Sequence, residues 1–357
     1  MSDLKINNIT DRTGGSGPVI AGVSTVSSTG AFIIPVGSTE MRGGRGRVVC
    51  HSAQPSPGTL TLEKIEIATT GNATDFGDTT VSRANAAGCA SATRGFFMGG
   101  QPGASPYYVT NIDYVIISSS GGANDFGDLT QAGNDSIDAR RGAACGSNDS
   151  TRGLIAGGNT PGDGGARKEI EFITMASTGD SSDFGELTQE RFDFGNSGCA
   201  NGTRAVWAGG YSQTTPAATF FSTIDYVNVQ SRGDAIHFGE LSATRGRTGE
   251  TSNTTRALVG VGGGPAPNSK QNQIEYITMS TLGNAQDFGD LVDSMMQPGG
   301  CASSTRGVFC GGNGTPSSTN IIQYVTIAST GNAIDFGDTT IAAYNRHGSS
   351  DSHGGLG

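Results

Sequence analysis

The apolar residues of this chain come in short runs, and no run keeps a helical period for the length of a helix. Ile112-Asp113-Tyr114-Val115-Ile116-Ile117 alternates as a half-buried strand does. Val206-Trp207-Ala208 and Val308-Phe309-Cys310 are compact apolar runs that end in glycine pairs. The pattern predicts an almost all-β protein, and it recurs. A Phe-Gly pair stands at Phe76, Phe126, Phe184, Phe238, Phe288 and Phe336, so successive copies lie 50, 58, 54, 50 and 48 residues apart. Four strand-like pieces surround each copy. In the second they are Gly88–Ala92, Phe96–Met98, Ile112–Ile117 and Asn124–Leu129, with a turn at Thr93-Arg94-Gly95 and a loop over Gln101–Asn111. Four antiparallel strands in a repeat of about 50 residues make one propeller blade.

The ends complete the count. The first copy begins with its second strand, Val48-Val49-Cys50, and beyond the last copy the chain runs on through Arg346–His353. That tail has the small residues of a first strand. Supplying the missing strand of blade one would leave no sheet edge open. The expectation is therefore an all-β, six-bladed β-propeller over residues 45–357, closed by its C-terminal strand. Residues 1–44 stand outside the repeat. Val19, Ile20 and Val23, then Phe32, Ile33 and Ile34, read as two short strands about a Ser28-Thr29-Gly30 turn. A lone hairpin is marginal in water, so this segment is expected to be an attachment arm. Its apolar residues would pack on another surface: its own propeller, a sister copy or a larger assembly.

Composition narrows the partners. Gly is 58 of 357 residues, but it recurs at fixed places beside apolar runs, which makes it turn punctuation. The net charge is −10 and the lysines are only Lys5, Lys64, Lys168 and Lys270, a poor footing for nucleic acid or anionic membranes. No apolar stretch has the length to span a bilayer. MSDLKINNIT lacks the basic-then-apolar form of a secretory signal, so the chain is expected to be made in a cytoplasm and not exported by that route. Cys89, Cys199 and Cys301 each stand five residues before a repeated arginine, and Thr251 takes the slot in another copy. A slot shared by Cys and Thr is a small packing position, so free, buried thiols are expected. No CxxC pair or Cys-His spacing calls for a metal, and no cofactor is expected.

Candidate chemistry is sparse. Arg94, Arg152, Arg204, Arg256 and Arg306 recur in the turn between the first and second strands. Five guanidiniums on one face of a propeller suit a carboxylate, sulfate or phosphate of a glycan. The alternative pairs each with a blade acid among Asp78, Asp128, Glu186, Glu240, Asp290 and Asp338. Asn72/Asp75, Asn284/Asp287 and Asn332/Asp335 offer oxygens in tight turns, too few per turn for a calcium site. Asp-Phe-Gly evokes a kinase magnesium motif, but it repeats around the chain without a nucleotide loop or catalytic loop. Its Phe is expected to fill the gap between blades, its Gly to make a turn, and its flanking acids to bond backbone amides. None of His51, His237, His347 and His353 sits beside a glycine-flanked nucleophile. The loops after the glycine pairs vary most, at Gln101–Asn111, Asn159–Lys168, Tyr211–Thr223, Pro265–Gln273 and Asn313–Asn320. Variable loops on a rigid scaffold are the usual binding surface, and all five should emerge on one face.

The glycine pairs and the period resemble kelch-type β-propellers over residues 45–357, although the usual kelch Tyr and Trp positions are not kept. Tyr324-Val-Thr-Ile-Ala-Ser-Thr-Gly-Asn-Ala-Ile-Asp-Phe-Gly-Asp338 resembles repeats in tail and other virion structural proteins of marine and cyanobacterial tailed phages. The run Asn8–Val23 is similar to the leading segment of such proteins. The resemblance implies a non-enzymatic virion component of tail, baseplate or fibre. It would be held to other virion proteins by residues 1–44 and would present the propeller to a host-surface glycan, a receptor or a neighbouring virion protein. The alternatives are an adaptor or cement subunit without a host ligand, or a carbohydrate-active enzyme.

Overall fold

The computed structural model describes residues 24–25, 32–33, 46–52, 59–102, 109–130, 143–146, 151–159, 165–195, 198–212, 219–264 and 270–352. The chain separates into two units, Met1–Arg42 and Gly43–Gly357. In the first, Ser24–Thr25 pairs antiparallel with Phe32–Ile33. Val19, Ile20, Val23 and Ile34 of the expected arm lie outside the described residues.

In the second unit the described residues form six four-stranded antiparallel sheets. Blade 2 runs through Ala87–Ala90, Arg94–Met98, Asn111–Ile116 and Asn124–Asp128, within a residue or two of the pieces the apolar pattern predicts. The innermost strands of successive blades contact one another in a closed cycle. His347–Ser350 pairs with Arg47–His51, with Ser349 opposite Val49, so the C-terminal strand completes blade 1 as the sequence led us to expect. The fold is an all-β six-bladed propeller.

The Asp-Phe-Gly phrase turns out to be the joint between blades. Each Phe side chain is buried, and its carbonyl accepts the N–H of a turn glycine in the next blade: Gly121 from Phe76, Gly179 from Phe126, Gly233 from Phe184, Gly283 from Phe238, Gly331 from Phe288 and Gly71 from Phe336, all at 2.7–3.0 Å. The glycine of the pair lies in a strand, not in a turn as expected. It is required because the next blade's turn sits against it: a Cβ on Gly337 would lie 2.5 Å from Gly71 O. The Asn or Asp of that turn then accepts the following backbone N–H, as in Asp338 N–H to Asn72 Oδ1 and Asp290 N–H to Asn332 Oδ1, both 3.0 Å. The turn oxygens weighed as calcium ligands are thus engaged in the seam at Asn72, Asn284 and Asn332. Every blade carries both halves of the Phe–glycine contact, which is why the phrase repeats; the side-chain bond is missing at blade 2's turn, where Gly122 takes the place of the Asn or Asp.

Beyond the glycine pairs, blades 3, 5 and 6 continue as longer hairpins. Arg152–Asn159 pairs with Ala166–Thr174, Arg256–Gly263 with Lys270–Thr278 and Arg306–Asn313 with Ser318–Thr326, each through a bulge at the glycines. Parts of the segments read as loops are therefore strand. Antiparallel pairing places the connections between second and third strands at one end of every blade. The turns between first and second strands lie at the other end, and the repeated arginines, expected in those turns, are instead the first residues of the second strands.

Candidate functional site

Among the described residues, the repeated arginines donate to backbone carbonyls and not to the blade acids weighed as their partners. Each reaches from the second strand of its blade to the backbone that follows the third strand of the next. Arg94 Nη1 donates to Met175 O at 2.9 Å, Arg204 Nη1 to Met279 O at 2.7 Å, and Arg256 Nη1 to Ile327 O and Ala328 O at 3.0 Å each. Arg152 Nη1 donates to Val229 O at 2.8 Å, and Arg306 Nη1 to Ile67 O at 2.7 Å. Each guanidinium also lies over the third-strand aromatic of its own blade, 4.7 to 5.2 Å from the ring centroid, as Arg256 does over Tyr276. That aromatic meets the buried Phe edge-on, as Tyr276 meets Phe288 at 6.0 Å.

A sixth member closes the ring. Arg47 donates to Ile117 O and Ser118 O at 3.1 Å. Because Lys64 replaces the aromatic in its blade, Arg47 leans on Glu66 at 2.6 Å instead. The first copy is degenerate enough in sequence to hide this residue.

A second set of arginines had no sequence signal strong enough to single it out. Arg83, Arg191, Arg245 and Arg346 are fully buried, and they pair across the seams with Asp113, Asp225, Glu275 and Glu63. Burial pulls the pKa of Arg83, Arg191 and Arg245 down, and in each case the acid partner resists that pull. Each acid immediately precedes the third-strand aromatic or Lys64, and it also accepts a backbone N–H from the preceding blade, such as that of Thr80, Thr188, Ser242 or Thr340. Between blades 5 and 6 the same places hold Met295 and Gln323, and Gln323 Oε1 accepts Val292 N–H at 2.6 Å. An uncharged pair there replaces the ion pair. These polar groups are internal structure, absorbed by the seams.

One departure from the repeat lies at the loop-bearing end. In blade 4 the loop after the glycine pair forms its own two-stranded ribbon, Tyr211–Ser212 with Thr219–Phe220. Tyr211 stacks on Phe220 with centroids 5.4 Å apart and planes at 22°, and the buried Phe192 supports it at 4.2 Å. Tyr211, Phe220 and Phe221 are all half-buried. The Arg247 guanidinium lies 5.6 Å from the Tyr211 centroid, and its Nε is 3.4 Å from Asp193 Oδ2. An aromatic shelf bordered by a half-buried guanidinium, which the mostly buried Asp193 carboxylate holds in place, can take the C–H face of a sugar and bond its hydroxyls.

At the opposite end of blade 4 a cleft of about 480 Å³ is lined by Arg204, Tyr226, Asn228, Arg232 and Asp234. There Arg232 lies over Phe172 at 4.7 Å.

Two other buried sets of titratable groups lie inside the propeller. His51 and His347 stack at 4.8 Å, and burial, then the charge of Arg83, holds His51 down to about 3. Burial likewise holds His347 below its ordinary value. Glu250 occupies the inner-strand slot that is Gly88, Gly300 and Gly348 in other blades. Burial pushes its carboxyl well above the usual range, although Ala208 N–H and the charge of Arg191 act against this. Its Oε2 has no hydrogen-bond partner among the described residues.

No protein-family model matches this chain, and a search of curated proteins finds no match either.

Proposed function

We propose that this protein is a non-enzymatic binding component of a tailed-phage virion. Residues 1–44 attach it to a neighbouring virion protein, and the loop-bearing end of the propeller takes a glycan of the host surface. The fold is of a kind that serves protein–protein or protein–glycan contact in general. The observation that carries the finer reading is the half-buried shelf of Tyr211 and Phe220 with Arg247 and Asp193 beside it. It sits among the variable loops, at the end where the scaffold does not repeat itself. The virion assignment rests on the likeness of the blade phrase and of Asn8–Val23 to phage structural proteins.

The test is retention of the full chain on host-surface polysaccharide and on a glycan array, for wild type, Tyr211→Ala and Phe220→Ala. The reading expects a bound glycan and a loss of about two- to tenfold in affinity for each variant, the size of one aromatic stacking contact. It is overturned if wild type binds no glycan, or if both variants bind as wild type does. Release of reducing sugar by wild type would replace it with the hydrolase reading.

A further inference from the structure

Among the described residues, the seam that closes the ring is the one that gathers three thiols. Cys301 stands on the innermost strand of blade 6, Cys310 on the second strand of blade 6, and Cys50 on the second strand of blade 1. Cys50 Sγ lies 3.7 Å from Cys310 Sγ and 4.0 Å from Cys301 Sγ, and all three sulfurs fall within 4.8 Å of one another. All three residues are fully buried.

The repeat supplies an internal control on what this means. Cys301 sits in the slot of Cys89 and Cys199, so it alone is unremarked. Cys310 sits in a slot that other blades fill variously, with His51, Met98, Ala156, Ala208 and Gly260. Cys50 sits where other blades carry Phe97, Ile155, Trp207, Val259 and Phe309. A large apolar residue has been exchanged for a thiol at the one seam where two further thiols face it. Blade geometry requires neither departure, and together they bring three sulfurs to one point. The inner strand leaves the sulfurs room through a glycine that the slot also carries at Gly88 and Gly300: a Cβ on Gly348 would lie 2.7 Å from Cys301 Sγ and 3.3 Å from Cys50 Sγ.

Three thiolates on one ion with metal–sulfur bonds of about 2.3 Å stand about 4.0 Å apart when the ion lies in their plane. The two direct separations here are 3.7 and 4.0 Å. Among the described residues no fourth Cys, His, Asp or Glu joins the group. An all-thiolate, low-coordinate, water-excluded set selects soft closed-shell ions and disfavours magnesium, calcium and manganese. We propose that Cys50, Cys301 and Cys310 form a three-coordinate site for a single thiophilic metal ion of the copper(I) class. Binding releases the thiol protons and joins blade 6 to blade 1 across the closing strand. The positive charge of Arg346 acts on both Cys50 and Cys310 and offsets part of the thiolate charge.

The experiment uses the full chain, reduced and kept anaerobic, titrated with copper(I) against a chromophoric chelator. Cadmium(II) in a parallel titration gives a thiolate charge-transfer band. Variants are taken from residues the repeat already tolerates: Cys310→Ala, as in Ala156 and Ala208, and Cys301→Thr, as in Thr251. Cys89→Thr, in the equivalent slot of another blade, is the control. Wild type and Cys89→Thr should bind about one equivalent that resists the chelator and raises the unfolding temperature. Both effects should be lost in Cys310→Ala and Cys301→Thr while their apo forms stay folded by circular dichroism. X-ray absorption of the loaded protein should give only sulfur neighbours, at about 2.2–2.3 Å. The inference is overturned if the two triad variants load as wild type does, if wild type loads nothing, or if thiol counting on unreduced protein shows Cys50 and Cys310 joined as a disulfide.

Discussion

Exchanging Arg83 for methionine tests whether the buried ion pairs hold the propeller together as charges or as shapes. Arg83 and Asp113 are both fully buried, with Nη2 2.7 Å from Oδ2. Arg83 Nη1 also donates to Phe97 O, Gly99 O and Asn111 O at 3.0–3.1 Å. Asp113 accepts from Thr80 N–H at 2.9 Å and Thr80 Oγ1 at 2.6 Å. Removing the guanidinium alone leaves a carboxylate buried without its cation, which typically costs about 3–5 kcal/mol. At roughly 2 °C per kcal/mol for a large domain, Arg83→Met should lower the unfolding temperature by about 6–10 °C. The seam between blades 5 and 6 shows how the same chain manages without charge. Met295 lies in the arginine's place, two residues before a left-handed residue, Gln297, as Arg83 lies two before Asn85. Gln323 holds the acid's place and keeps its backbone bond. The double variant Arg83→Met with Asp113→Gln should therefore recover more than half of the loss, the remainder reflecting the three carbonyls that Nη1 served. Thermal and urea unfolding at neutral pH measure both. A double variant as unstable as the sum of its single variants would refute the reasoning, because the charge left behind would then not be the source of the cost.

Three further outcomes follow from the seams and the inner strands. Glu250→Gln should stabilise the protein above pH 5 and flatten its pH dependence. A carboxyl whose folded pKa is raised holds its proton where the unfolded chain has lost it, so stability falls as pH rises past the unfolded value near 4.3; urea midpoints from pH 4 to 8 read this, and equal slopes in wild type and variant would contradict it. Gly337→Ala, whose Cβ would meet Gly71 O at 2.5 Å, should cost about 3 kcal/mol or more, whereas Gly331→Ala, with no atom within 4 Å of its Cβ, should cost only about 1–2 kcal/mol of backbone strain. Arg256→Ala removes two carbonyl bonds and a face-on contact with Tyr276, and should cost about 1–2 kcal/mol in thermal unfolding without weakening glycan binding at the opposite end; an affinity loss without a stability loss would return the arginine ring to the binding site.

The blade boundaries, the count of six and the closure by His347–Ser350 were legible because each rests on a local signal. A Phe-Gly landmark, a glycine pair and an alternating strand all lie within one repeat. What the sequence concealed is cross-seam chemistry, whose two halves sit in different repeats. Arg94, Arg152, Arg204, Arg256 and Arg306 could be aligned, but Met175 O, Val229 O, Met279 O, Ile327 O and Ile67 O, their acceptors, are backbone atoms with no side-chain identity to read. The second arginine set had a signal, an Arg about 30 residues before an acid that precedes an aromatic. It was masked because Met295 breaks the series and because Arg346 lies three residues past the slot that Ala343 occupies. Cys50 escaped for a similar reason: its copy lacks the glycine pair that anchors the alignment, so its place opposite Phe97 and Phe309 emerges only from strand register. The loops named as a binding surface lie in good part at residues 103–108, 160–164, 213–218 and 265–269, outside the described residues.

A repeat this regular separates two kinds of departure from itself. In one kind a change is answered by another at the same seam. Lys64 takes the place of an aromatic, and Arg47 turns to Glu66. Met295 takes the place of arginine, and Gln323 takes the place of the acid. Ala343 holds an arginine slot, and Arg346 reaches Glu63 from further along the chain. Such pairs restore the packing and hydrogen bonds that the seam had before, so stability alone accounts for them. In the other kind nothing answers. No other seam gathers three thiols as Cys50, Cys301 and Cys310 are gathered among the described residues. The Tyr211–Phe220 shelf has a second loop-borne ribbon in no other blade among those residues. Glu250 keeps a carboxyl where the inner strands of blades 1, 2 and 6 use glycine, at a cost in desolvation that its single backbone bond and one hydroxyl do not offset. A departure that costs stability and is left uncompensated needs a reason outside the fold. Glu250 meets that criterion, and the shelf and the thiol triad, which no second change answers, are the departures that the glycan and metal experiments address.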